Sequence, residues 1–260
     1  WSTVHEALKK KGMTLLLLWE EHRAAHPNSA SYSRFCVHYR TFVKTLHPVM
    51  RQHHKAGEKC FVDFSGLRLE WVNPSTGEIV NAEIFVAVLG ASNYTYVEAL
   101  NSQSLQDWIG AHVRAFEFFS GVPEIVVPDN LKAGVTKAHY YDPDINLTYQ
   151  DMACYYNVAV VPTRVRAPKD KAKVEVGVQG IERRILAPLR HHTFLSINDM
   201  NAAIGPLLTA YNERPFQKME GSRLSHFIAI DKPALKALPL QAYQLAVWQH
   251  ARVAPDYHVV

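Results

Sequence analysis

The chain has few cysteines and no long apolar run. Its three cysteines, Cys36, Cys60 and Cys154, lie far apart without a Cys-x-x-Cys spacing. This pattern argues against a disulfide framework or a zinc site and favours a reducing compartment. The apolar run over residues 13–19, which Thr14 interrupts, is far too short to cross a bilayer. Because the amino terminus also lacks the residue order of a signal peptide, we expect a cytoplasmic protein without a membrane partner.

The chain also has little net charge. A formal charge of +4 gives only a weak argument for a polyanionic partner. Local charge gives a stronger one, because residues 164–190 contain eight Lys or Arg against three acids. Such a run can be no more than a solvated helix face, and it can equally hold a phosphate backbone.

The first fifty-odd residues read as a small helical module. Helices are predicted over 4–10, 14–25 and 32–46, separated by glycine and by a Pro-Asn-Ser turn. In the third helix Arg34 and Lys44 recur on a polar side, as in a helix-turn-helix reader of DNA. A plain helical hairpin with a polar face explains the same pattern, so both interpretations stay open.

From residue 59 the pattern changes to strands. Residues 61–64, 67–72 and 79–89 predict three antiparallel strands in succession, and residues 94–100 continue the sheet. Ser104 then begins an amphipathic helix, with Asp107 completing a capping-box pattern.

The second half alternates between short strands and helices. Strands are predicted at 124–127 and 158–162, and helices at 148–156, around residue 175 and from Ser196 onward. The element order predicts an α/β fold, a ribonuclease-H-like mixed sheet with flanking helices, preceded by the helical module. We expect a helical DNA-binding module and linker at 1–55, the catalytic core at 56–192, a helical extension at 193–239 and the start of a truncated β domain at 240–260. The chain begins at Trp1 and is expected to be a piece of a longer protein.

Three carboxylates stand at positions that suggest metal chemistry. Asp63 interrupts an apolar strand, where an uncompensated charge is costly. Asp129 follows an apolar strand, although Pro-Asp-Asn is also a common turn and helix cap. Glu175 opens a lysine-rich helix, and Glu182, seven residues on, lies two turns along the same face. Asp170 is a weaker alternative to Glu175.

Together the three carboxylates predict a site for divalent cations. Converging carboxylates repel one another unless cations hold them ionised, and hard oxygen ligands favour Mg²⁺ or Mn²⁺. Two ions about 4 Å apart can activate a water or a 3′-hydroxyl and stabilise the leaving oxygen of a phosphodiester.

Four segments resemble a known family. Residues 62–66 (VDFSG), 128–134 (PDNLKAG) and 169–175 (KDKAKVE) resemble the catalytic blocks of the IstA-type DDE transposases, relatives of retroviral integrases. Residues 211–215 (YNERP) are similar to the motif that follows the core in that family. The resemblance implies an integrase-like core, Mg²⁺ dependence, cleavage at the 3′ ends of a transposon and strand transfer into target DNA. It also implies an IstB-type AAA+ ATPase partner, a homo-multimer on paired ends, and a bacterial protein associated with the nucleoid when bound to DNA.

By this resemblance Asp63, Asp129 and Glu175 are the catalytic metal ligands, whereas physical reasoning alone does not separate Glu175 from Glu182. The expected DNA-binding residues are Arg34, Lys44, Lys132, Arg164, Arg166, Lys169, Lys171, Lys173, Arg183 and Arg184. Two other functions stay open: a ribonuclease-H-like nuclease without strand transfer, and a catalytically inactive DNA-binding protein.

Overall fold

A computed structural model describes residues 1–46, 53–128, 135–137, 144–162, 168–217 and 219–245. The chain divides into two compact units, residues 1–52 and 53–260. Of the expected start of a β domain at 240–260, residues 246–260 lie outside the described residues. Among the residues described, no helix is long and apolar enough to cross a membrane.

The first unit is built from three helices, α1 (Ser2–Leu8), α2 (Leu15–Ala25) and α3 (Tyr32–Leu46). The hydroxyl of Thr14 caps α2 by accepting the Leu17 N–H at 3.2 Å. Phe35 of α3 is buried, and its ring lies 4.9 Å from that of Trp1. The predicted helices are confirmed, the first of them two residues earlier than expected.

The second unit contains a mixed sheet. Its strands and those of a separate antiparallel pair are β1 (Lys59–Phe64), β2 (Leu69–Val72), β3 (Ile79–Leu89), β4 (Thr95–Leu100), β5 (Ile125–Pro128), β6 (Val135–Lys137), β7 (Asp144–Ile145) and β8 (Ala159–Val160). Within the sheet, β3 pairs antiparallel with β1 and β4, whereas β5 pairs parallel with β1 and β8. The pair β6–β7 is an addition that the sequence did not indicate.

The predicted succession of three antiparallel strands needs one correction. β1 and β2 both pair with β3, one after the other, with Phe64 opposite Phe85 and Leu69 opposite Ala82. Between these two pairs, residues 65–68 stand opposite only residues 83 and 84 of β3. Residues 65–68 therefore form a bulge. This bulge begins two residues after Asp63.

Helices cover both faces of the sheet. They are α4 (Leu105–Phe119), α5 (Leu147–Tyr155), α6 (Pro168–Ile181), a π-helical turn (Glu182–Leu186), α7 (Ala187–Leu189), α8 (Ile197–Glu213) and α9 (Arg223–His226), which a second π-helical turn (Phe227–Asp231) extends. Ser104 and Ser196 cap α4 and α8 as expected. The cap of α5 is Asn146 and not the expected Thr148, because the Asn146 carboxamide oxygen accepts the Thr148 N–H at 2.9 Å. The region 222–238, expected to be mixed and helical, contains α9 and its π-helical extension, and the chain after Asp231 leaves the helix.

Alternation along β1 divides the core into two layers. Val62 packs with Trp108 of α4 on one face, whereas Phe61 packs with Val178 and Ile181 of α6 on the other. Because successive strand residues point to opposite faces, Asp63 lies on the same face as Phe61. The carboxylate is thereby on the face that α6 covers.

Two glycines let α6 approach closely. A Cβ on Gly177 would lie 2.9 Å from Cγ2 of Val88 on β3, and a Cβ on Gly180 would meet the hydroxyl of Tyr211 on α8. Such distances are closer than real carbon atoms come, so only glycine fits at these positions without movement. The helix that carries Glu175 is therefore pressed against the sheet that carries Asp63.

A buried aspartate fixes the chain before β1. The Asp231 carboxylate accepts the Gly57 N–H at 2.8 Å and the Ser92 N–H at 2.9 Å. These bonds join the chain after α9 to the start of β1 and to the turn between β3 and β4.

Candidate active site

Asp63 lies near the carboxyl end of β1, half-buried and opposite Val86. Its Oδ1 accepts the N–H of Phe64 at 2.8 Å. The neighbouring parallel strand β5 ends at Pro128, which pairs with Val62. The chain thus reaches Pro128, the residue before Asp129, directly beside the Asp63 strand. Asp129 itself lies outside the described residues.

Glu175 lies on α6, two residues before the Gly177 contact with the sheet. Its side chain is exposed, and in the described part of the chain it takes part in no hydrogen bond or ion pair. Its carboxylate is thus uncommitted among these residues.

Glu182 has a different environment. It is half-buried at the first position of the π-helical turn, and its Oε1 accepts from the Ser65 hydroxyl at 3.0 Å and the Leu67 N–H at 3.3 Å. Ser65 is buried, and its Oγ also accepts the Leu67 N–H, at 3.2 Å. One oxygen of Glu182 is therefore committed to the bulge that follows Asp63.

The metal-ligand set has the right donor chemistry for a hard cation. Asp63 and Glu175 both offer carboxylate oxygens, the donors that Mg²⁺ and Mn²⁺ prefer. No group of three His, Cys, Asp or Glu suitable for a metal occurs among the residues that the structure describes. The expected third member, Asp129, lies beyond them.

Three predicted DNA-binding side chains are described, and all are exposed. Arg34 lies on α3 of the first unit, whereas Arg183 and Arg184 follow Glu182 in the π-helical turn. The positions of Lys132, Arg164 and Arg166 lie outside the described residues, as do the side chains of Lys44, Lys169, Lys171 and Lys173 and that of Asp170.

The chain is similar in sequence to a known domain family and to known transposases. Residues 53–168 match the integrase core domain. The "Putative transposase for insertion sequence IS408" of Burkholderia multivorans is 45% identical over all of this chain and 50% of its own length. The chain therefore contains a match to the integrase core domain and is similar in sequence to insertion-sequence transposases. The IS21 transposase of Pseudomonas aeruginosa is 24% identical over 70% of this chain and 46% of its own length, and the resemblance to IstA-type transposases is confirmed.

The curated transposases that this chain matches are longer than the chain itself. It spans about half the length of the curated transposases that it matches. Among solved structures, the HTLV-2 integrase catalytic core domain in complex with magnesium, dimeric form, superposes with a TM-score of 0.50 at 14% identity. The match covers 68% of this chain and 99% of the integrase chain, and it confirms the ribonuclease-H-like fold.

The motif at 211–215 contacts two elements of the second unit, β4 and α6. The buried amide of Asn212 pairs with the backbone of Thr95 on β4, with bonds of 2.8 and 3.1 Å. The Arg223 guanidinium lies 3.9 Å from the centre of the Tyr211 ring, and burial raises the pKa of Tyr211 although this guanidinium acts in the opposite direction. The hydroxyl of Tyr211 in turn lies against Gly180 of α6. These described contacts give the motif a structural role in holding α6.

Sequence reasoning missed the pairing of Glu182 with Ser65. The two residues are 117 positions apart, and neither has a distinctive local pattern. The only local signal was Ser65-Gly66, which indicates a break after a strand.

Proposed function

We propose that this chain is the catalytic part of a DNA transposase that cleaves the 3′ ends of its element and transfers them into target DNA by a DDE mechanism. The observation that carries the proposal is the placement of Asp63 on the sheet face that α6 covers, within an integrase core, with Glu175 on that same helix. The names of the relatives support the same activity.

Asp63, Asp129 and Glu175 would hold two Mg²⁺ or Mn²⁺ ions. The magnesium present with the HTLV-2 integrase core supports this metal. Bound divalent ions would activate a water or a 3′-hydroxyl for in-line attack and stabilise the leaving oxygen. The residues of this chain contribute position: β1 fixes Asp63, and the close contact of α6 with β3 fixes Glu175.

The exposed cations would hold the DNA backbone. Arg183 and Arg184 adjoin Glu182 on the helical segment that carries Glu175. The remaining members of the set are proposed from sequence. The helical module and linker at 1–55 are proposed to read end DNA. Phosphate contacts of this kind give affinity and register without sequence discrimination.

The remaining assignments follow from the family. We propose a core at 56–192, a helical extension at 193–239, the start of a β domain at 240–260, an IstB-type AAA+ ATPase partner and a homo-multimer on paired transposon ends. A cytoplasmic, nucleoid-associated location in a bacterium is part of the same proposal.

Strand joining tests the activity. The full protein that contains this chain is incubated with labelled transposon-end DNA bearing a pre-exposed 3′-hydroxyl and with a plasmid target, in Mg²⁺, in Mn²⁺ or in EDTA. We expect metal-dependent joined products with wild type and none with Asp63→Asn or Glu175→Gln, while DNA binding persists. Glu78→Gln, a change at an exposed glutamate before β3, is the matched control and should join normally.

The products also separate the alternatives. Cleaved but never joined DNA would point to a nuclease, and binding without any metal-dependent product would point to an inactive DNA-binding protein. Joining by Asp63→Asn would remove Asp63 from the site.

A further inference from the structure

The contact between Glu182 and the bulge connects the two elements that carry the proposed ligands. Glu182 begins the π-helical turn that continues α6, and α6 carries Glu175. Ser65 and Leu67 lie in the bulge that continues β1, and β1 carries Asp63. The carboxylate thus joins the Glu175 helix to the Asp63 strand.

The bulge needs such a partner because it leaves the strand ladder. Ser65 N–H still donates to the Ile84 carbonyl at 2.8 Å, which continues the pairing with β3. Leu67 N–H has left that ladder and donates to the Ser65 hydroxyl and to Glu182. Without these acceptors the Leu67 N–H would bond to water, and the end of the strand would be free to move. Asp63 lies two residues before Ser65, so its backbone direction depends on the geometry of the bulge.

The helix side of the contact is also a departure from regular structure. The chain widens into a π-helical turn at Glu182–Leu186, while Ile185 and Leu186 stay buried in the core. A π-bulge shifts the side chains around it relative to a continuous α-helix, and such turns occur often at functional sites. Here the turn begins at the residue that reaches the bulge.

We infer that Glu182 is a positioning residue, which fixes the bulge after β1 and so holds Asp63 and Glu175 at the spacing that divalent metal requires. The inference rests on the proposed function and deepens it. It assigns Glu182 a hydrogen-bonding role and leaves the third ligand position to Glu175.

Substitution by glutamine discriminates between the two roles. A glutamine at 182 keeps the oxygen that accepts from Ser65 and Leu67 but removes the charge that a metal ligand supplies. Glu182→Gln should therefore keep joining and metal binding within a few-fold of wild type. Glu182→Ala removes the acceptor, and loss of such a supporting partner typically costs about 10–100-fold in metal affinity or activity.

The experiment measures metal binding and joining side by side. Mn²⁺ is titrated calorimetrically into the full protein without DNA, joining is followed against Mg²⁺ concentration, and unfolding in urea reports stability. For Glu182→Ala we expect a rise of at least about tenfold in the Mn²⁺ dissociation constant and in the Mg²⁺ needed for half-maximal joining. Ser65→Ala should shift both in the same direction but less, and adding it to Glu182→Ala should change little further, since both disrupt one contact.

Each result decides the inference. Loss of Mn²⁺ binding and joining in Glu182→Gln, equal to that in Glu175→Gln, would make Glu182 a ligand and overturn it. Normal metal dependence in Glu182→Ala would overturn it as well. If Glu182→Ala fails to fold, Glu182→Gln and Ser65→Ala still test the inference. A wild type that binds Mn²⁺ but joins no DNA would refute the transposase activity and leave the Mn²⁺ comparison among variants intact.

Discussion

Replacing Gly177 by alanine should push α6 away from the sheet and reduce strand joining more than it reduces stability. The new Cβ would lie 2.9 Å from Cγ2 of Val88. Val88 is buried and β-branched, so it has few alternative rotamers. The helix has to shift by several tenths of an ångström, and Glu175 shifts with it because it lies two residues away.

The size of the effect follows from two opposing terms. Alanine favours a helix interior by about 1 kcal/mol relative to glycine. Overpacking a filled core costs about 1–3 kcal/mol. The net loss in free energy of unfolding is therefore roughly 0–2 kcal/mol, the difference between these two estimates. Misplacement of a catalytic group by about 1 Å can cost about a hundredfold in rate, and we expect joining to fall by about 10–100-fold.

Urea unfolding and the joining assay measure the two effects on the same protein. Val176→Ala is the matched control, since Val176 is the adjacent helical residue and its side chain is 70% exposed. It should change the free energy of unfolding by less than about 0.5 kcal/mol and leave joining intact. Val88→Ala should relieve the clash, so that the double variant is more stable than the sum of the single changes by about 1–3 kcal/mol. A Gly177→Ala protein with higher stability, full joining and no coupling to Val88 would refute the close contact of α6 with β3.

Three further predictions concern stability and DNA binding. Burial lowers the pKa of His112 to about 4, so the unfolded chain, with a pKa near 6.5, binds the proton first as pH falls. Wild type should therefore lose about 3 kcal/mol in free energy of unfolding between pH 6.5 and 4 through this group. Urea unfolding should not find this loss in His112→Gln, and equal dependence of stability on pH in the two proteins would contradict the prediction. Asp231→Ala leaves two buried N–H groups without acceptors and should cost about 2–5 kcal/mol in the same assay, whereas a loss below about 0.5 kcal/mol would show that the bonds contribute nothing. Arg184→Ala should weaken binding to all DNA sequences alike and reduce the salt slope by about one, and an effect confined to one sequence would argue against a backbone contact.

Local pattern determined most of the secondary structure. β3 has the predicted bounds, Ile79–Leu89, because apolar residues alternate with Asn81 and Glu83 in its first half and run without interruption over 84–89. α4 begins after Ser104, and its predicted apolar face is buried, including Trp108 and Phe116. Helix caps and hydrophobic periodicity involve residues a few positions apart, so they can be predicted from the sequence. The motif blocks likewise identified the family before any contact was known.

Tertiary structure decided how the site is held together. The Asn146 cap, the β6–β7 pair and the bulge at 65–68 depend on which backbone groups find partners after folding. The Gly177 contact with Val88 and the bond between Glu182 and Ser65 join residues that are distant in the chain. A glycine in a helix or a glutamate beside arginines looks ordinary in sequence, because its role depends on the atoms that it contacts after folding. The sequence by itself determined most of the elements, the resemblance to the family and the candidate carboxylates. Only the packing of α6 on the sheet distinguished the environments of Glu175 and Glu182.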